Sequence, residues 1–282
     1  MKNFALIVNA SKDPEGRESG RVQSYLQSRG ACCRVCPVRK TETENGQVEY
    51  RYEVPENADC CIVMGGDGTM LQAAASTFDR DIPLIGVNIG TLGYLTEVEL
   101  EHLEQALDRL LADDVEMRER MMLRGTFEQQ ADGFEFHALN DIVIARCSSL
   151  RVIPFHIYVN GLFLTRYEGD GILLSTPTGS TGYNMSAGGP IVEPEARVIL
   201  LTPICPHTMG SRTIVLSPQD EIVVELAQER RNADLVVEAS FDGMSHHLMR
   251  PGDRIHVSAS TQTTRILRLN RESFLETLHR KL

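Results

Sequence analysis

The sequence predicts an α/β domain followed by an all-β domain. In the first 116 residues, short apolar runs alternate with amphipathic stretches, as where Phe4 to Val8 precedes Glu15 to Arg29. Such alternation predicts strands and helices in turn, and therefore a parallel sheet covered on both faces. After about residue 117, the apolar runs shorten, alternate with polar residues and are separated by turn dipeptides such as Asn160-Gly161. This second texture is typical of antiparallel strands.

The α/β half contains four predicted strands and three predicted helices. The helix at Glu15 to Arg29 places Val22, Tyr25 and Leu26 on one face and stops at Gly30. The other predicted elements are the strands Phe4 to Val8, Ala31 to Val38, Cys60 to Met64 and Ile82 to Val87, and the helices Thr69 to Phe78 and Leu100 to Leu111. We expect the polar stretch 39–57 to be a long mobile connection.

The all-β half is predicted as a series of short strands. Asn160-Gly161 lies between the apolar segments 153–159 and 162–167, which is a strong signal for a β-hairpin. Further strands are predicted at Val198 to Leu201, Thr213 to Leu216, Glu221 to Leu226, Asp234 to Ala239 and Arg254 to Ser258. Turn residues at Asp132-Gly133, Asp242-Gly243 and Pro251-Gly252 separate others.

The stretch Arg271 to Leu282 is helix-prone. We expect it to pack back on the first domain. The predicted organisation is therefore an α/β domain over 1–116, an all-β domain over 117–260 and a returning C-terminal segment over 261–282.

Charge and composition limit the classes of partner. The net charge of -11 argues against a nucleic-acid surface, which needs basic patches that displace counterions from phosphates. The apolar run near the start is too short for a secretory signal, and no run approaches the roughly eighteen residues of a membrane span. Seven cysteines, mostly inside apolar runs, fit reduced thiols in the cytoplasm. We expect small-molecule partners, with no nucleic acid and no membrane.

The pair Cys33-x-x-Cys36 raises the possibility of a redox or zinc site. Such sites usually have a second cysteine pair or a CxxC at a helix start. Here the pair lies in the strand-like run Ala31 to Val38, where the two side chains would point to opposite faces. We interpret the pair as structural and predict no protein metal ligand.

The segment CIVMGGDGTML, residues 60–70, interrupts an apolar strand with three glycines and one carboxylate. A strand that ends in glycines before a helix brings free N–H groups and the positive end of the helix macrodipole together, which favours a phosphate. Gly65, Gly66 and Gly68 would let that phosphate approach the backbone. Asp67 would repel an anion, so we expect it to bind a proton-bearing group or help to hold a metal. On glycine content alone, a tight strand-to-helix turn remains the alternative.

A second unusual segment spans residues 168–194 and is dense in glycine and hydroxyl side chains. It holds Asp170, six Ser or Thr residues between 175 and 186, and glycines at 169, 171, 179, 182, 188 and 189. We interpret it as too polar for core and too patterned for a linker. It would supply hydrogen-bond donors and close backbone approach to a ligand with many oxygens.

Together these segments resemble the NAD kinase family. The resemblance rests on five blocks in the family's order, which are GGDGT (65–69), NIGTLGYL (88–95), LNDIVI (139–144), DGILLSTPTGSTGYNMSAGGPIV (170–192) and LTPICPHTMGSRTIVL (201–216). The block at 170–192 is highly specific, whereas GGDGT alone is shared with lipid kinases and phosphofructokinases. The resemblance implies that the all-β domain is a sandwich that binds NAD.

The resemblance also implies an activity. It is the ATP-dependent phosphorylation of the adenosine ribose 2′-hydroxyl of NAD, with a divalent cation such as Mg²⁺, to give NADP. It implies a homo-oligomer, a dimer or a tetramer. Two alternatives remain, a lipid or sugar kinase that shares GGDGT and a non-catalytic NAD(H)-binding sensor.

By position, the resemblance implies a role for each site residue. Asp67 would be the catalytic base or orienting group. Asp170 would meet the nicotinamide amide from a neighbouring subunit. The donor phosphates would contact Gly65, Gly66, Gly68 and Thr69. The NAD-binding set would be Asp67, Gly68, Tyr94, Asn140, Asp141, Arg151, Asp170, Thr181, Gly182, Tyr183, Asn184, Met185, Ser186 and Cys205.

Four positions depart from the family's usual residues. Asp141 stands where Glu is usual, so its carboxylate reaches one methylene less far. Gly182 replaces a common Ala, and Tyr94 replaces a common Phe. Glu168 stands where a basic residue is frequent, so we do not assign it a contact with substrate phosphate.

Overall fold

The structure, a computed structural model, describes residues 1–42, 48–90, 93–128, 135–147, 151–207, 210–229, 235–269 and 274–281. The chain divides into two units, one formed by Met1–Arg120 with Gln262–Leu282 and the other by Met121–Thr261. Unit 1 is α/β and unit 2 is antiparallel β, which confirms the predicted fold class. None of the described helices is long and apolar enough to cross a membrane.

Unit 1 is built on a parallel sheet. Its strands are β1 (Asn3–Val8), β2 (Cys32–Val35), β5 (Cys60–Gly65), β6 (Leu84–Asn88) and the short β7 (Val98–Glu99), with an antiparallel pair β3 (Val38–Glu42) and β4 (Val48–Tyr52). Its helices are α1 (Arg17–Ser28), α2 (Asp67–Thr77), α3 (Leu103–Leu111) and α5 (Phe274–Lys281), and 3-10 turns lie at Phe78–Arg80 and Leu100–His102. All six residues of β5 are buried, as expected for a strand covered on both faces.

The order of the strands creates a switch point between β1 and β5. The sheet runs β6-β5-β1-β2, with β1 parallel to both β2 and β5. The chain therefore leaves the C-terminal end of β1 toward one side of the sheet and leaves that of β5 toward the other. Ligands of open α/β sheets bind at the carboxyl ends of the strands at such a point.

Most predicted elements of unit 1 are confirmed within a few residues, but two predictions were wrong. The predicted strand Ala31 to Val38 stops at Val35, one residue before Cys36-Pro37, where proline has no N–H to donate. The stretch 39–57 is not simply a mobile connection, because β3 and β4 pair within it; residues 43–47 lie outside the described residues. The alternation typical of a strand is present in this stretch, but the many charged residues conceal it. The apolar or aromatic positions are Val48, Tyr50, Tyr52 and Val54.

Cys33 and Cys36 are both buried, and all seven cysteines are free thiols. Burial raises the pKa of Cys33 to about 12, so this thiol is an inert core group rather than a reactive one. The prediction that the two side chains face opposite ways assumed one continuous strand, which the structure does not have.

Unit 2 consists of two antiparallel sheets that share one core. One sheet has the order β15 (Ile214–Leu216), β14 (Ile199–Ile204), β13 (Gly171–Ser175), β10 (Asp141–Arg146), β17 (Val237–Phe241) and β18 (Ser245–Met249). The other contains β12 (Leu162–Gly169), β11 (Ile153–Val159), β16 (Ile222–Leu226) and β19 (Arg254–Arg268), with β8 (Glu116–Phe127) and β9 (Phe136–Ala138). A short helix, α4 (Tyr183–Ser186), lies in the connection from β13 to β14. Inward side chains of both sheets, such as Ile144 and Phe155, form one hydrophobic cluster, which is the arrangement of a β-sandwich.

The predicted strands of unit 2 are present, but several of them begin or end at residues other than those predicted. Asn160 and Gly161 have φ values of 53° and 77° between β11 and β12, as a type I′ hairpin turn requires. The strand predicted from Asp234 starts at Val237, and the one predicted to end at Ser258 runs on to Arg268. The turn at Asp132-Gly133 lies outside the described residues. Helix α5 falls in unit 1, as predicted for the C-terminal segment.

Candidate functional site

The predicted site residues fall into two groups, one in each unit. The first group surrounds the turn from β5 to α2. Strand β5 ends at Gly65, Gly66 precedes the helix in an extended conformation, and α2 begins at Asp67. The first N–H groups of a helix have no partner within the helix and carry its positive partial charge. The turn therefore has the chemistry of an anion site at the switch point of the sheet.

Two backbone N–H groups fix the carboxylate of Asp67. Tyr94 N–H donates to Oδ2 and Leu95 N–H donates to Oδ1, both at 2.9 Å. A Cβ built on Gly93 would overlap Asp67 Oδ1, so glycine is required there for this close approach. Sequence reasoning assigned Tyr94 to the ligand but missed this backbone contact. The end of this motif, at Gly93, Tyr94 and Leu95, thus holds Asp67 in one orientation.

The glycines of this turn differ in the reason for their presence. A Cβ on Gly65 would overlap the side chain of Thr69, so Gly65 is explained by packing inside the chain. A Cβ on Gly68 would have nothing within 4 Å, and Gly68 is exposed within α2. Glycine inside a helix costs about 0.5 to 1 kcal/mol relative to alanine. No contact within the described chain accounts for that cost at position 68.

Lys12 adds a positive charge beside the same turn. Its Nζ lies 3.3 Å from the Cβ position of Gly66 and 2.8 Å from that of Gly90. Among the described residues, no carboxylate forms an ion pair with Lys12. Asn9, directly after β1, donates from Nδ2 to Thr69 Oγ1 at 3.3 Å and so joins the end of β1 to the first turn of α2. Sequence reasoning missed both residues; a lysine soon after the first strand was the available signal.

The second group lies where three neighbouring strands of unit 2 meet at one edge. Asp141 begins β10, Ser175 ends β13, and Asp242 follows β17. Because β10 is antiparallel to both neighbours, its first residue lies beside their last residues, as in the pairing of Asp141 with Ser175. The fold therefore brings Asn140 and Asp141 to the start of the segment 176–186.

Asn140 and Asp141 face Gly182. The Cβ position of Gly182 is 3.5 Å from Asn140 Nδ2 and 3.9 Å from Asp141 Oδ2. Within the described chain, Asn140 Oδ1 is buried and has no hydrogen-bond partner. Buried amide oxygens without partners are rare, so this oxygen is a candidate acceptor for a ligand.

Asp242 was missed as a site residue and was noted only as part of a turn. Its carboxylate accepts the N–H groups of Leu139, Asn140 and Asp141 at 2.7, 2.8 and 3.0 Å. Burial, helped by the negative charge of Asp242, raises the pKa of Asp141 to about 7. Burial also raises the pKa of Asp242 to about 6, although the three N–H groups oppose that rise.

The interpretation of residues 175–180 as too polar for core was wrong. Ser175, Thr176, Thr178 and Ser180 are all buried. Thr176 Oγ1 donates to Leu139 O at 2.6 Å, and Ser180 Oγ donates to Val192 O at 3.1 Å. The hydroxyl groups of Ser175, Thr176 and Ser180 bond backbone atoms of a folded turn, so they are not free to bind a ligand as predicted. The buried Thr178 Oγ1 has no hydrogen-bond partner within the described chain.

Only part of the predicted loop 181–186 presents its side chains outward. Tyr183 is 45% exposed, Met185 and Ser186 are exposed, and Thr181 is half-buried. Asn184 is fully buried: its Nδ2 donates to Pro190 O at 2.9 Å and its Oδ1 accepts from Thr202 Oγ1 at 2.7 Å. The side chain of Asn184 therefore stabilises the turn.

The remaining predicted residues of unit 2 lie around Tyr183 or at the surface. The charges of Cys205 and Asp170 contribute, after burial, to raising the pKa of the Tyr183 hydroxyl. Asp170 forms an ion pair with Arg146 at 2.8 Å, and Cys205 is exposed with a φ of 44°. Arg151 is exposed. Glu168, which we left unassigned, pairs with Arg166 at 2.5 Å.

Comparisons with known proteins identify the family of this chain. The ATP-NAD kinase N-terminal domain family matches residues 18–115, and the ATP-NAD kinase C-terminal domain family matches residues 139–269. The NAD kinase of Lachnospira eligens is 42% identical over the full length of both chains. That of Geobacter sulfurreducens is 41% identical over all of this chain and 98% of its own.

Solved structures show the same fold. An NAD kinase from Archaeoglobus fulgidus in complex with ATP is 25% identical, with a TM-score of 0.76 over 99% of this chain and 98% of its own. Yeast NADH kinase complexed with NADH is 24% identical, with a TM-score of 0.84 over 99% of this chain and 86% of its own. With both family domains matched and relatives above 40% identity over the whole chain, this protein belongs to the ATP-NAD kinase family.

Proposed function

We propose that this protein transfers the terminal phosphoryl group of ATP to the 2′-hydroxyl of the adenosine ribose of NAD, which gives NADP. The observation that carries the proposal is the Asp67 carboxylate, held by two N–H groups at the start of α2 beside the open backbone of Gly68. Family membership supports the same reaction, because the curated relatives are NAD kinases. Phosphoryl transfer depends on positioning and charge neutralisation, and this turn offers both.

The donor phosphates bind, in this proposal, to the turn Gly65 to Thr69. The N-terminus of α2 supplies N–H groups and positive partial charge, and Gly68 leaves the space in front of them open. Lys12 adds a full positive charge beside Gly66. Its ammonium group is a suitable partner for the triphosphate because, among the described residues, no carboxylate neutralises it.

Asp67 orients the acceptor hydroxyl and takes its proton. Each carboxylate oxygen accepts one backbone N–H, which leaves lone pairs for the hydroxyl group. A hydroxyl that donates to Asp67 directs its own lone pair toward the phosphorus atom. A loose transition state needs little base strength, so a carboxylate suffices as the proton acceptor.

The acceptor nucleotide binds at the Asn140–Asp141 group of unit 2. The amide Nδ2 of Asn140 and the carboxyl group of Asp141 lie near Gly182, and Asn140 Oδ1 has no hydrogen-bond partner within the described chain. These groups suit the hydrogen-bonding groups of an adenosine. The exposed ring of Tyr183 offers a flat surface on which part of the dinucleotide can pack. Thr181, Met185, Ser186, Arg151 and Cys205 remain proposed contacts.

A divalent cation fits the donor side. Mg²⁺ takes oxygen ligands and is commonly held by one or two carboxylates together with substrate phosphates. Asp67 offers two carboxylate oxygens, each with a lone pair beyond its N–H bond. When bound, such a cation would neutralise charge on the phosphates.

We also propose that the active form is a homo-oligomer, a dimer or a tetramer, in which Asp170 serves a neighbouring copy. The edge strand β12 supports this, since Leu162, Phe163 and Leu164 are all exposed on it, and natural edge strands rarely leave such a row uncovered. Light scattering at assay concentration should find no active monomer. A fully active monomer would contradict this proposal.

The seven free cysteines favour the cytoplasm as the compartment of the protein.

The test of the reaction is direct. Purified protein is incubated with ATP, Mg²⁺ and NAD, and NADP is detected with glucose-6-phosphate dehydrogenase. We expect NADP to form only when both ATP and NAD are present. Binding of NAD without any NADP would instead support a non-catalytic sensor, and phosphorylation of a lipid or sugar alone would support the other kinase class.

A further inference from the structure

Asp242 contacts the backbone on which two proposed nucleotide contacts depend. It follows β17 with a positive φ of 52°, and its carboxylate spans three consecutive N–H groups, from Leu139 to Asp141. Oδ1 accepts from Asn140 and Asp141, whereas Oδ2 accepts from Leu139. Because the side chains of Asn140 and Asp141 leave this short segment, their direction depends on Asp242.

The charge environment of this pair is unusual. Among the described residues, no Lys, Arg or His forms an ion pair with Asp141 or Asp242. The charge of Asp141 also acts on the Tyr183 hydroxyl, whose pKa is raised by burial and by the charges of Cys205 and Asp170. Two buried carboxyl groups without a cation disfavour the doubly ionised state. The three N–H groups stabilise charge on Asp242, so the proton goes to Asp141.

We propose that Asp242 is a positioning residue for the nucleotide site, which fixes the backbone that presents Asn140 and Asp141 and, as the second carboxyl group of the pair, controls the charge of Asp141. The inference takes its substrate, NAD, from the proposed function. The part that concerns the proton shared by the two carboxyl groups does not depend on that function. Asp242 touches no reacting atom in this arrangement. It acts through Asn140 and Asp141.

The geometry and the titration support each other. Asp141 Oδ2 lies 3.9 Å from the Cβ position of Gly182, next to the amide of Asn140. A protonated Asp141 can donate a hydrogen bond as well as accept one, whereas an ionised one can only accept. Burial and the charge of Asp242 raise the pKa of Asp141 to about 7. The hydrogen bonds that NAD finds here would therefore change in the physiological pH range.

The first experiment needs no substrate. Aspartate carboxyl groups labelled with carbon-13 are followed by NMR from pH 4 to pH 9 in the parent and in Asp242→Asn. The side-chain amide of this variant would keep an oxygen for two of the N–H groups and lose the charge. We expect Asp141 to titrate near pH 7 in the parent and at lower pH in the variant. An Asp141 that titrates near pH 4 in the parent, or at the same pH in both proteins, would overturn the proposal.

The second experiment uses the KM for NAD and for ATP across the same pH range. We expect Asp242→Asn to raise the KM for NAD about tenfold, the size of one lost charged hydrogen bond, and to leave that for ATP within about twofold. The midpoint of the pH dependence of the NAD KM should move to lower pH. A merely structural role would not move this midpoint, so an unchanged midpoint would overturn the proposal.

Asp253→Asn is the matched control. Asp253 is also a turn carboxylate of unit 2 and accepts the N–H of Arg250 at 2.7 Å. This variant should change neither KM nor the midpoint. Failure of the parent protein to make NADP would refute the proposed function alone. The carbon-13 titration would still show whether Asp141 and Asp242 share a proton.

Discussion

The two glycine-rich turns look alike in sequence but differ in what their glycines do. In unit 2, a Cβ at Gly171 would meet Ile144 O at 2.6 Å, and one at Gly179 or Gly189 would overlap atoms of the chain. Those glycines are required by packing within the fold. In unit 1, Gly68 has open space around it, and the ammonium of Lys12 lies next to Gly66. The comparison teaches that a glycine indicates a ligand only where the fold itself does not need it.

The carboxylates of the two turns also differ, in their burial and in their surroundings. Asp67 is half-buried and is held by backbone N–H groups from one loop. Asp141 is buried beside a second carboxyl group, and burial raises its pKa. The first carboxylate is suited to a role in the reaction, and the second to recognition that depends on its proton. Substitutions in each turn test this difference.

The largest effect is expected for Asp67→Asn. Loss of positioned proton transfer lowers a rate about 10² to 10⁴-fold, so kcat should fall by that factor. The new amide also sets an NH₂ group against the N–H of Tyr94 or Leu95, which should loosen the loop that these residues belong to. The measurement is kcat, together with urea unfolding to separate the two effects.

Asp59→Asn is the control for Asp67→Asn. Asp59 Oδ2 also accepts two backbone N–H groups of unit 1, from Lys2 at 2.7 Å and Asn3 at 2.9 Å. This variant should lose stability without loss of turnover. Near-normal kcat in a folded Asp67→Asn protein would show that Asp67 is only a turn residue, like Asp59.

The next effect is expected for Gly68→Ala. The added methyl group has open space in the free protein, so the fold should gain about 0.5 to 1 kcal/mol. Turnover at fixed ATP should fall roughly 10- to 100-fold, because small displacements of reacting groups are costly. Gly20→Ala in α1, where the space is also open, should give the stability gain alone. Equal activity in the two variants would show that the donor phosphates do not bind at the Gly68 turn.

Tyr183→Ala should affect the acceptor more than the donor. Base stacking on an aromatic ring contributes about 1 to 3 kcal/mol, so the KM for NAD should rise roughly tenfold. The KM for ATP should hardly change, and stability should be little affected because the ring is 45% exposed. Equal changes in both constants would place Tyr183 outside the acceptor site.

Lys12→Met should act on the donor alone. An exposed charge contributes up to about 1 kcal/mol, which corresponds to roughly a fivefold rise in the KM for ATP. High salt should shrink the difference between variant and parent, since salt screens exposed charges. Lys2→Met, another exposed lysine of unit 1, should leave the constant unchanged. A higher KM for NAD instead of ATP would contradict the assignment.

Sequence patterns predicted the elements of the fold well where one period dominates. The buried run of β5 and the Asn160-Gly161 hairpin are such cases. Patterns failed where charge concealed alternation, as at Tyr50 and Tyr52 in β4. They also failed for Ser175 and Thr176, because a hydroxyl that bonds backbone can be buried.

The site was predictable only as far as its residues lie within short motifs. Asp67 and Asn140 were proposed in this way. Lys12 lies near Gly66, and Asp242 bonds to Asn140, only through tertiary contacts, because each pair is separated by more than fifty residues in the chain. No local sequence pattern distinguishes Lys12 or Asp242. Asp242 in particular looks like an ordinary turn residue until the strand order brings it beside Asp141.

The last substitution, Asp141→Asn, is expected to act on stability rather than on turnover. Burial raises the pKa of Asp141 in the folded protein to about 7 from a model-peptide value of 3.8, so the folded state binds this proton more tightly than the unfolded chain. Stability from this group is complete below about pH 4 and is lost as pH rises to about 7, because the unfolded chain ionises more readily. Asn has no such penalty. Because each pKa unit corresponds to about 1.4 kcal/mol, the variant should exceed the parent in stability by up to about 4 kcal/mol at pH 8, and the difference should close toward pH 4. Hydrogen exchange at the amides of β10 and β13 measures this within unit 2. A difference that is the same at pH 5 and pH 8 would contradict the raised pKa of Asp141, and with it the contrast between the buried carboxyl pair and the exposed turn of unit 1.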